Sequence, residues 1–515
     1  MPEHAAEWER RSAWLFAAIL VARLAYLSTG WTDLSPDEAY YWEWSRRPDW
    51  CYYSKPPMVA WVIGASTAVF GHSTWAVRLP AVLLGTFSLA GIWVLARRLF
   101  DARVAFWAAV LSAASPGASM LGLLMTIDPP LMAAWAWGLV LLQTALRKQT
   151  AIWWAATGAV VALGILSKPS MLIFPVLVFA FLAAERSARG HLSQLGPWVF
   201  LAACLTALVP IAVWNASHEW ITFSHASSHF RDVPKGLAGV IETGGGFLGT
   251  QLAALSPLTW ALMVVCFGGV LLRFRQLDER ARLLFFFSAI PLAGIELLST
   301  KQRVHGNWSA PFYCAGEVLL AAWACGALPL GGRLERWRGW LRPAAAVGAA
   351  SVLCLYALPV ILPATSWGGG PLDATIRSRG WKELGREVSR ELARVPAPER
   401  TLLIAARRKL ASELAFYMDG NPIAYMLPKN NVSSQYGLWP GPRQAQGWDA
   451  LYAVESDKHP HPTLLQAFDS VEPWKTIEIR TGPGRTYDVD LFLARGLRAW
   501  PTPRKDKPAE TSDGE

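Results

Sequence analysis

The sequence predicts a polytopic, all-α membrane protein that carries a small α/β domain toward its C-terminal end. Of its 515 residues 53% are hydrophobic and only 17% charged, a balance suited to a lipid-facing bundle. Apolar runs near the length of a bilayer recur through the first two-thirds of the chain, separated by short loops. Beyond residue 364 the pattern turns polar, with Gly368-Gly369-Gly370-Pro371 marking the change.

Hydropathy places spans near 12–28, 79–96, 104–123, 130–146, 152–167, 170–184, 197–214, 257–273, 282–298, 309–329 and 343–362, about eleven in all. Arg10-Arg11 precedes the first apolar run as it would in a signal peptide, but Arg23 interrupts the run and no small-residue cleavage site follows. It reads as a retained span. The segment Pro57 to Gly71 is apolar but shorter than the roughly twenty residues a span needs, and is expected to be an interfacial helix within a first outer loop over 29–78. The last third predicts a helix over 380–394, a strand over 401–405, a helix from Leu410 to Tyr417 and a strand over 450–454. The expected organisation is therefore a membrane domain over 1–363, an α/β domain over 364–500, and a Lys-, Pro- and Glu-rich disordered tail over 501–515.

Charge placement orients these elements. The formal net charge is +10, which invites a nucleic-acid reading. However, Arg10-Arg11, Arg97-Arg98, Arg147-Lys148, Arg186, Arg273 and Arg333 fall in alternate loops, where the positive-inside rule accounts for them and sets the N-terminus in the cytoplasm. No nucleic-acid partner is expected. An odd span count puts the C-terminal domain outside the cytoplasm. The six cysteines are scattered, mostly within apolar segments, and form no CxxC pair. His459 and His461 stand in a Pro-rich turn and read as solvated loop residues. With no DxD motif near Asp37, neither a metal nor another cofactor is predicted.

The same topology gathers Asp37, Glu38, Lys55, Arg78, Asp128, Lys168, His218, Arg231, Lys235, Lys301, Arg303 and His305 on the outer side. Basic residues there run against the positive-inside bias, and an anionic ligand at that surface accounts for them, since Lys and Arg hold phosphate through charge-assisted hydrogen bonds. Taken singly, each also fits a solvated or snorkelling loop charge. Asp128 precedes Pro129-Pro130 at the start of a span, where it can be either a helix cap or one of two separated carboxylates serving group transfer. Trp42, Trp44, Tyr52 and Tyr53 flank Asp37 and read first as packing residues of the loop, with stacking on a sugar as the other use.

The series Asp37-Glu38-Ala39-Tyr40-Tyr41-Trp42, Tyr52-Tyr53-Ser54-Lys55-Pro56-Pro57, Arg78-Leu79-Pro80 and Thr126-Ile127-Asp128-Pro129-Pro130 resembles the bacterial glycosyltransferase family 39. That family is related to the protein O-mannosyltransferases and to the aminoarabinose transferases of lipid A modification. Leu166-Ser167-Lys168-Pro169, Trp214 to Trp220, Ser256-Pro257 and Asn307 to Tyr313 continue the likeness over roughly residues 12–330. The resemblance implies a GT-C fold and transfer of a sugar, with inversion, from a polyprenyl-phosphate donor at the outer membrane face. It implies Asp37 as base or acceptor-orienting group, Glu38 beside it, and Asp128 as a second carboxylate. Lys55 and Lys168 are implied as donor-phosphate ligands, with Arg231, Lys301 and Arg303 as further candidates and Arg78, His218 and Tyr53 nearby. One departure stands out: the aminoarabinose enzymes carry an acid just before Lys-Pro-Pro, where this chain has Ser54, so no metal site dependent on that acid is implied. The expected acceptor is lipid A, lipopolysaccharide or another envelope glycolipid or glycan. Protein hydroxyls remain the alternative acceptor, and a lipid or sugar flippase the alternative class.

Overall fold

The computed structural model describes residues 2–228, 236–371, 373–428, 431–456 and 459–501. Arg231, Lys235 and most of the expected C-terminal tail lie outside the described residues. The chain divides into two compact units, one comprising 1–29, 55–62 and 78–356, the other 30–54, 63–77 and 357–515.

The first unit is helical. Across the described chain six helices are long and apolar enough to cross a membrane, or seven if one bent pair counts as a span. The bent pair is Gly236–Leu255 and Pro257–Leu272, which meet at 106°. The break falls on Ser256, held at φ 74 ψ 143, a region that residues other than glycine rarely occupy. Shorter apolar helices, Ala102–Ala113, Ala151–Ser167 and Pro169–Ala184, occupy regions read as spans from hydropathy. The run expected as one span over 104–123 is interrupted, since Ser115 caps a new short helix, Pro116–Leu121, that opens on proline. Met58–Phe70 is a helix of 13 residues.

Small residues let these helices approach closely. On Ala151–Ser167 a Cβ at Gly158 would lie 2.5 Å from the Phe200 carbonyl oxygen and 2.6 Å from Ala203 Cβ of helix Leu195–Leu205. In an apolar solvent such contact replaces the hydrophobic effect as the source of helix association.

The second unit is built on a five-stranded mixed sheet of β1 (Thr401–Ala405), β2 (Ala424–Tyr425), β3 (Asp449–Glu455), β4 (Phe468–Gly482) and β5 (Arg485–Leu497), in the order β2-β1-β3-β5-β4. β1 runs parallel to β2 and β3, while β5 is antiparallel to β3 and β4. β1 and β3 are buried along nearly their whole length, as expected of central strands. Leu402, Ile404, Tyr452, Val454, Phe468 and Leu497 share one core cluster. Helix Arg408–Tyr417 packs against Trp381–Leu392 and Pro36–Ser45, so a segment from the start of the chain joins the C-terminal domain. The sequence-predicted strands and helices of this region are present within a few residues of their expected ends, and the long β4–β5 hairpin adds to them.

Glu391 anchors helix Trp381–Leu392 to the hairpin: its buried carboxylate accepts from Lys475 Nζ at 2.8 Å and Trp474 Nε1 at 3.2 Å, with Arg394 at 2.6 Å. Burial opposes ionisation, but Lys475, Arg394 and Trp474 outweigh it and hold the carboxyl below its usual value.

Two outcomes test this architecture. Gly158→Val should destabilise the helix pair by about 1–3 kcal/mol through overpacking, read as a lower Tm of the detergent-solubilised protein; an unchanged Tm would separate the two helices. Because the Glu391 pKa is depressed, its contribution is complete above the unfolded value of about 4.3 and is lost as pH falls through the folded pKa. Lys475→Met should therefore lower the thermal stability at neutral pH and flatten its decline between about pH 5 and 3, followed by tryptophan fluorescence.

Candidate functional site

Within the helical unit, the sequence-predicted residues Asp128 and Lys168 meet. Asp128 is the first residue of helix Asp128–Lys148, with Pro129-Pro130 filling its opening positions, where missing N–H groups cost nothing. The preceding residue, Ile127, is the cap and makes no side-chain cap bond, so the helix-cap use of Asp128 is not the one adopted. Lys168 ends helix Ala151–Ser167 in an extended conformation just before Pro169. The Ser167 hydroxyl donates to the Ile127 carbonyl at 2.6 Å and locks the two segments side by side.

The Lys168 ammonium donates to one Asp128 oxygen at 2.8 Å, and their side chains are 9% and 4% exposed. The Asn307 amide donates to the other oxygen at 2.8 Å. Both carboxylate oxygens thus have fixed donors, and Asp128 sits at the positive end of a helix dipole. A buried pair of this kind is sensitive to loss of either member, because the survivor is left as an unpaired charge.

Asn307 is exposed and belongs to the short turn Gly306–Ser309. Gln251, buried on helix Gly236–Leu255 one turn before the strained Ser256, positions that turn. Its side-chain oxygen accepts from Ser309 at 2.5 Å and from Tyr313 at 2.8 Å, and its amide reaches the Gly306 carbonyl at 3.3 Å. Sequence reasoning placed Asn307 and Tyr313 in a motif but gave neither a role, and it passed over Gln251.

The other candidates of the helical unit stand on separate segments of the chain. Lys55 is half-buried in the turn before Pro56-Pro57, and Arg78 is buried on helix Thr74–Leu99, where its charge acts on Tyr26. Lys301 and Arg303 are exposed in the segment leading to Asn307. His218 stacks flat on Trp214 at 3.8 Å, with its Nδ1 against that residue's carbonyl at 2.8 Å.

The second unit holds the acidic pair. Asp37 and Glu38 occupy the first turn of helix Pro36–Ser45, and they diverge. Glu38 is buried and closes a capping box: its carboxylate accepts from the Ser35 N–H at 2.9 Å and hydroxyl at 3.1 Å. The Asp37 side chain remains 42% exposed and pairs with Arg408 at 2.9 Å. The Arg408 guanidinium also lies over the Tyr40 ring at 4.7 Å, so it is held in place from two directions. No sequence motif announces Arg408.

The aromatic residues around Asp37 are packed. Tyr40, Trp42, Trp44 and Tyr52 are buried; Trp44 stacks on Tyr52 at 4.4 Å, and Trp42 donates to His72 Nδ1 at 3.0 Å. The Tyr53 N–H donates to the Gln435 side chain at 2.7 Å, and the Gln435 N–H to the Tyr40 hydroxyl at 2.5 Å. Glu43, which sequence reasoning omitted, is fully buried with Arg46 at 3.1 Å. Its burial raises the carboxyl pKa against the pull of Arg46 and Arg47. Among the described residues no group of three or more His, Cys, Asp or Glu could hold a metal ion.

Comparison with known proteins places these features. Residues 54–214 match the family model for dolichyl-phosphate-mannose-protein mannosyltransferases. The lipid A galacturonosyltransferase RgtD of Rhizobium johnstonii is 27% identical over 406 residues, covering 77% of this chain and 80% of the relative. The fold is shared with ArnT from Cupriavidus metallidurans. Its structure bound to undecaprenyl phosphate superposes with a TM-score of 0.62 at 18% identity, over 93% of this chain and 97% of that one. Its apo structure gives 0.61 at 17% identity with the same coverage. These likenesses support a multi-pass membrane glycosyltransferase that is similar to the mannosyltransferase family and to RgtD and that shares the fold of ArnT.

Proposed function

We propose that this enzyme moves a sugar from a polyprenyl phosphate to lipid A or a related envelope glycolipid at the outer face of the bacterial inner membrane. The buried Asp128–Lys168 pair, with Asn307 donating to its second oxygen, carries this reading. It is a preorganised carboxylate at the end of a span, in a fold shared with an enzyme solved with undecaprenyl phosphate bound. Similarity over most of its length to a lipid A galacturonosyltransferase supports the acceptor class and makes a hexuronate one candidate sugar.

In the proposed topology the N-terminus is cytoplasmic and the chain crosses the membrane about eleven times, the shorter apolar helices completing the count. The region 364–500 is then extracytoplasmic. Asp37 and Asp128 both lie on the outer side.

The chemistry follows from the leaving group. The acceptor oxygen bonds to the anomeric carbon as the bond from that carbon to the phosphate oxygen breaks, so the configuration inverts. Polyprenyl phosphate leaves with the electron pair and is a stable anion, so it needs cations more than an acid. Lys55, Lys301 and Arg303 supply that charge, with Arg231 a further ligand and Arg78 and His218 supporting ones. Lys168 acts through Asp128, which orients sugar or acceptor. A hydroxyl acceptor gives its proton to Asp37, whose partial exposure leaves it accessible beside Arg408. A phosphate acceptor is already anionic and needs Asp37 only for alignment.

The decisive experiment is mass spectrometry of envelope glycolipids with and without the gene, in which loss of one sugar from lipid A is expected and unchanged glycolipids would refute the acceptor assignment. Asp37→Asn should lower transfer to a hydroxyl acceptor by roughly 10²–10⁴-fold with normal membrane insertion, measured in proteoliposomes; retained transfer would remove Asp37 from the proton path. Asp128→Asn and Lys168→Met should each destabilise the protein by about 3–5 kcal/mol as single changes, and the double variant by less than their sum. Additive losses in thermal unfolding would mean that the two side chains are not coupled.

A further inference from the structure

Arg23 is one of the buried charges outside this mechanism. It lies on the first helix, Pro2–Thr29, within the apolar stretch that forms a candidate span. Its side chain turns inward: the residue is only 5% exposed, and its Nη1 has no hydrogen-bond partner among the described residues. A guanidinium in a span is costly, and it normally snorkels to the surface or finds an anionic partner inside the bundle.

The surrounding residues leave space for this group. A Cβ on Gly122 would lie 2.6 Å from the guanidinium carbon, and one on Gly85 would lie 3.1 Å from Nη1. Gly122 has φ −85, which suits any residue, so the absence of a side chain there serves room rather than backbone conformation. Arg23 faces a cavity of about 20 Å³. Ser88 and Ser112, 5% and 6% exposed, also line it. The Ser112 side chain is engaged with the buried Glu317 carboxyl, so the Arg23 guanidinium and the Ser88 hydroxyl are the donors that suit an anion in this void. The void exceeds the ~10–15 Å³ that one water requires, which suits the two oxygens of a carboxylate better than a tetrahedral phosphate ester.

Its position links it to the proposed site. Pro129 and Met132 line the same cavity, and both fall within the first five residues of the helix that Asp128 opens. Met132 is four residues along, about 6 Å of axial rise. In a hexuronic acid the carboxylate lies one ring-width from the anomeric carbon. A sugar oriented by Asp128 therefore brings such a carboxylate toward Arg23.

We propose that the Arg23 cavity, with Ser88, receives the carboxylate of an acidic donor sugar and makes the enzyme selective for a polyprenyl-phosphate hexuronate. This deepens the transferase reading above and rests on it. Arg23 is a specificity-determining residue, and it takes no part in bond making. A site built around a charged hydrogen-bonding partner discriminates strongly against an analogue lacking it, because its own buried group is then left unpaired.

The test uses the full-length protein in proteoliposomes with two undecaprenyl-phosphate donors, a galacturonate and the matching neutral galactose. Wild type should favour the uronate in kcat/KM by about 100-fold or more. Arg23→Gln should bring that ratio close to one, chiefly through KM for the uronate. Gly122→Ala should act in the same direction by displacing the guanidinium, and Arg23→Lys should restore part of the preference. Thermal unfolding of each variant identifies any that fail to fold, and Gly122→Ala keeps the test open should Arg23→Gln be one of them. Equal use of both donors by wild type would overturn the proposal. So would equal losses on both donors in Arg23→Gln, since the guanidinium would then serve the shared phosphate or the bundle alone. Transfer of neither sugar would instead overturn the transferase reading, and this inference with it.

Discussion

The ion pair between Asp128 and Lys168 fixes one end of the helical unit. Two charges that each resist removal from water are placed where water is scarce, and each is tolerable only because the other is 2.8 Å away. That requirement reaches outward. Lys168 has to end its helix at the level where Asp128 begins another, and the Ser167–Ile127 bond holds them in register. The second carboxylate oxygen needs a donor, so the turn carrying Asn307 must be held too, and Gln251 does this from a third helix that breaks immediately afterward at Ser256. A chain of polar contacts thus ties helices that apolar packing alone would leave free to slide.

The acidic pair of the other unit shows the same economy with different means. Adjacent carboxylates on a helix point roughly 100° apart, so Asp37 and Glu38 cannot share a task. Glu38 completes the helix start with Ser35, and Asp37 keeps its reach toward solvent beside a guanidinium that is itself clamped on Tyr40. The aromatic residues nearby are consumed in packing, which gives the helix a rigid base.

Much of the fold was legible in the sequence, because apolar runs and strand-like Thr401 to Ala405 and Ala450 to Val454 are governed by local pattern. Reading the run over 104–123 as one span failed at Ser115-Pro116, where proline and a capping serine start a new helix within a still apolar stretch. The β4–β5 hairpin escaped notice because much of β4 alternates charged, exposed positions with few apolar ones, and Pro473 interrupts its pairing register. At the site, Asp128 and Lys168 stood out as charges at span ends. Their pairing did not, since forty residues separate them. The Ser35-x-x-Glu38 capping signature was legible and was overlooked in favour of chemistry. Arg408 could not have been found, since nothing local distinguishes it from the neighbouring Arg407.

The distance in sequence between Asp37 and Arg408, 371 positions, has a consequence for biosynthesis. Residue 37 leaves the ribosome while most of the membrane helices are still unmade, and its guanidinium partner is among the later parts of the chain to appear. Through nearly the whole of translation the acid stands alone, and it acquires its partner only when the sheet domain has folded around helix Pro36–Ser45. Completion of the chain is thereby built into the electrostatics of the acidic helix: a nascent or prematurely terminated polypeptide can insert its spans in the bilayer, but it cannot assemble this charge pair.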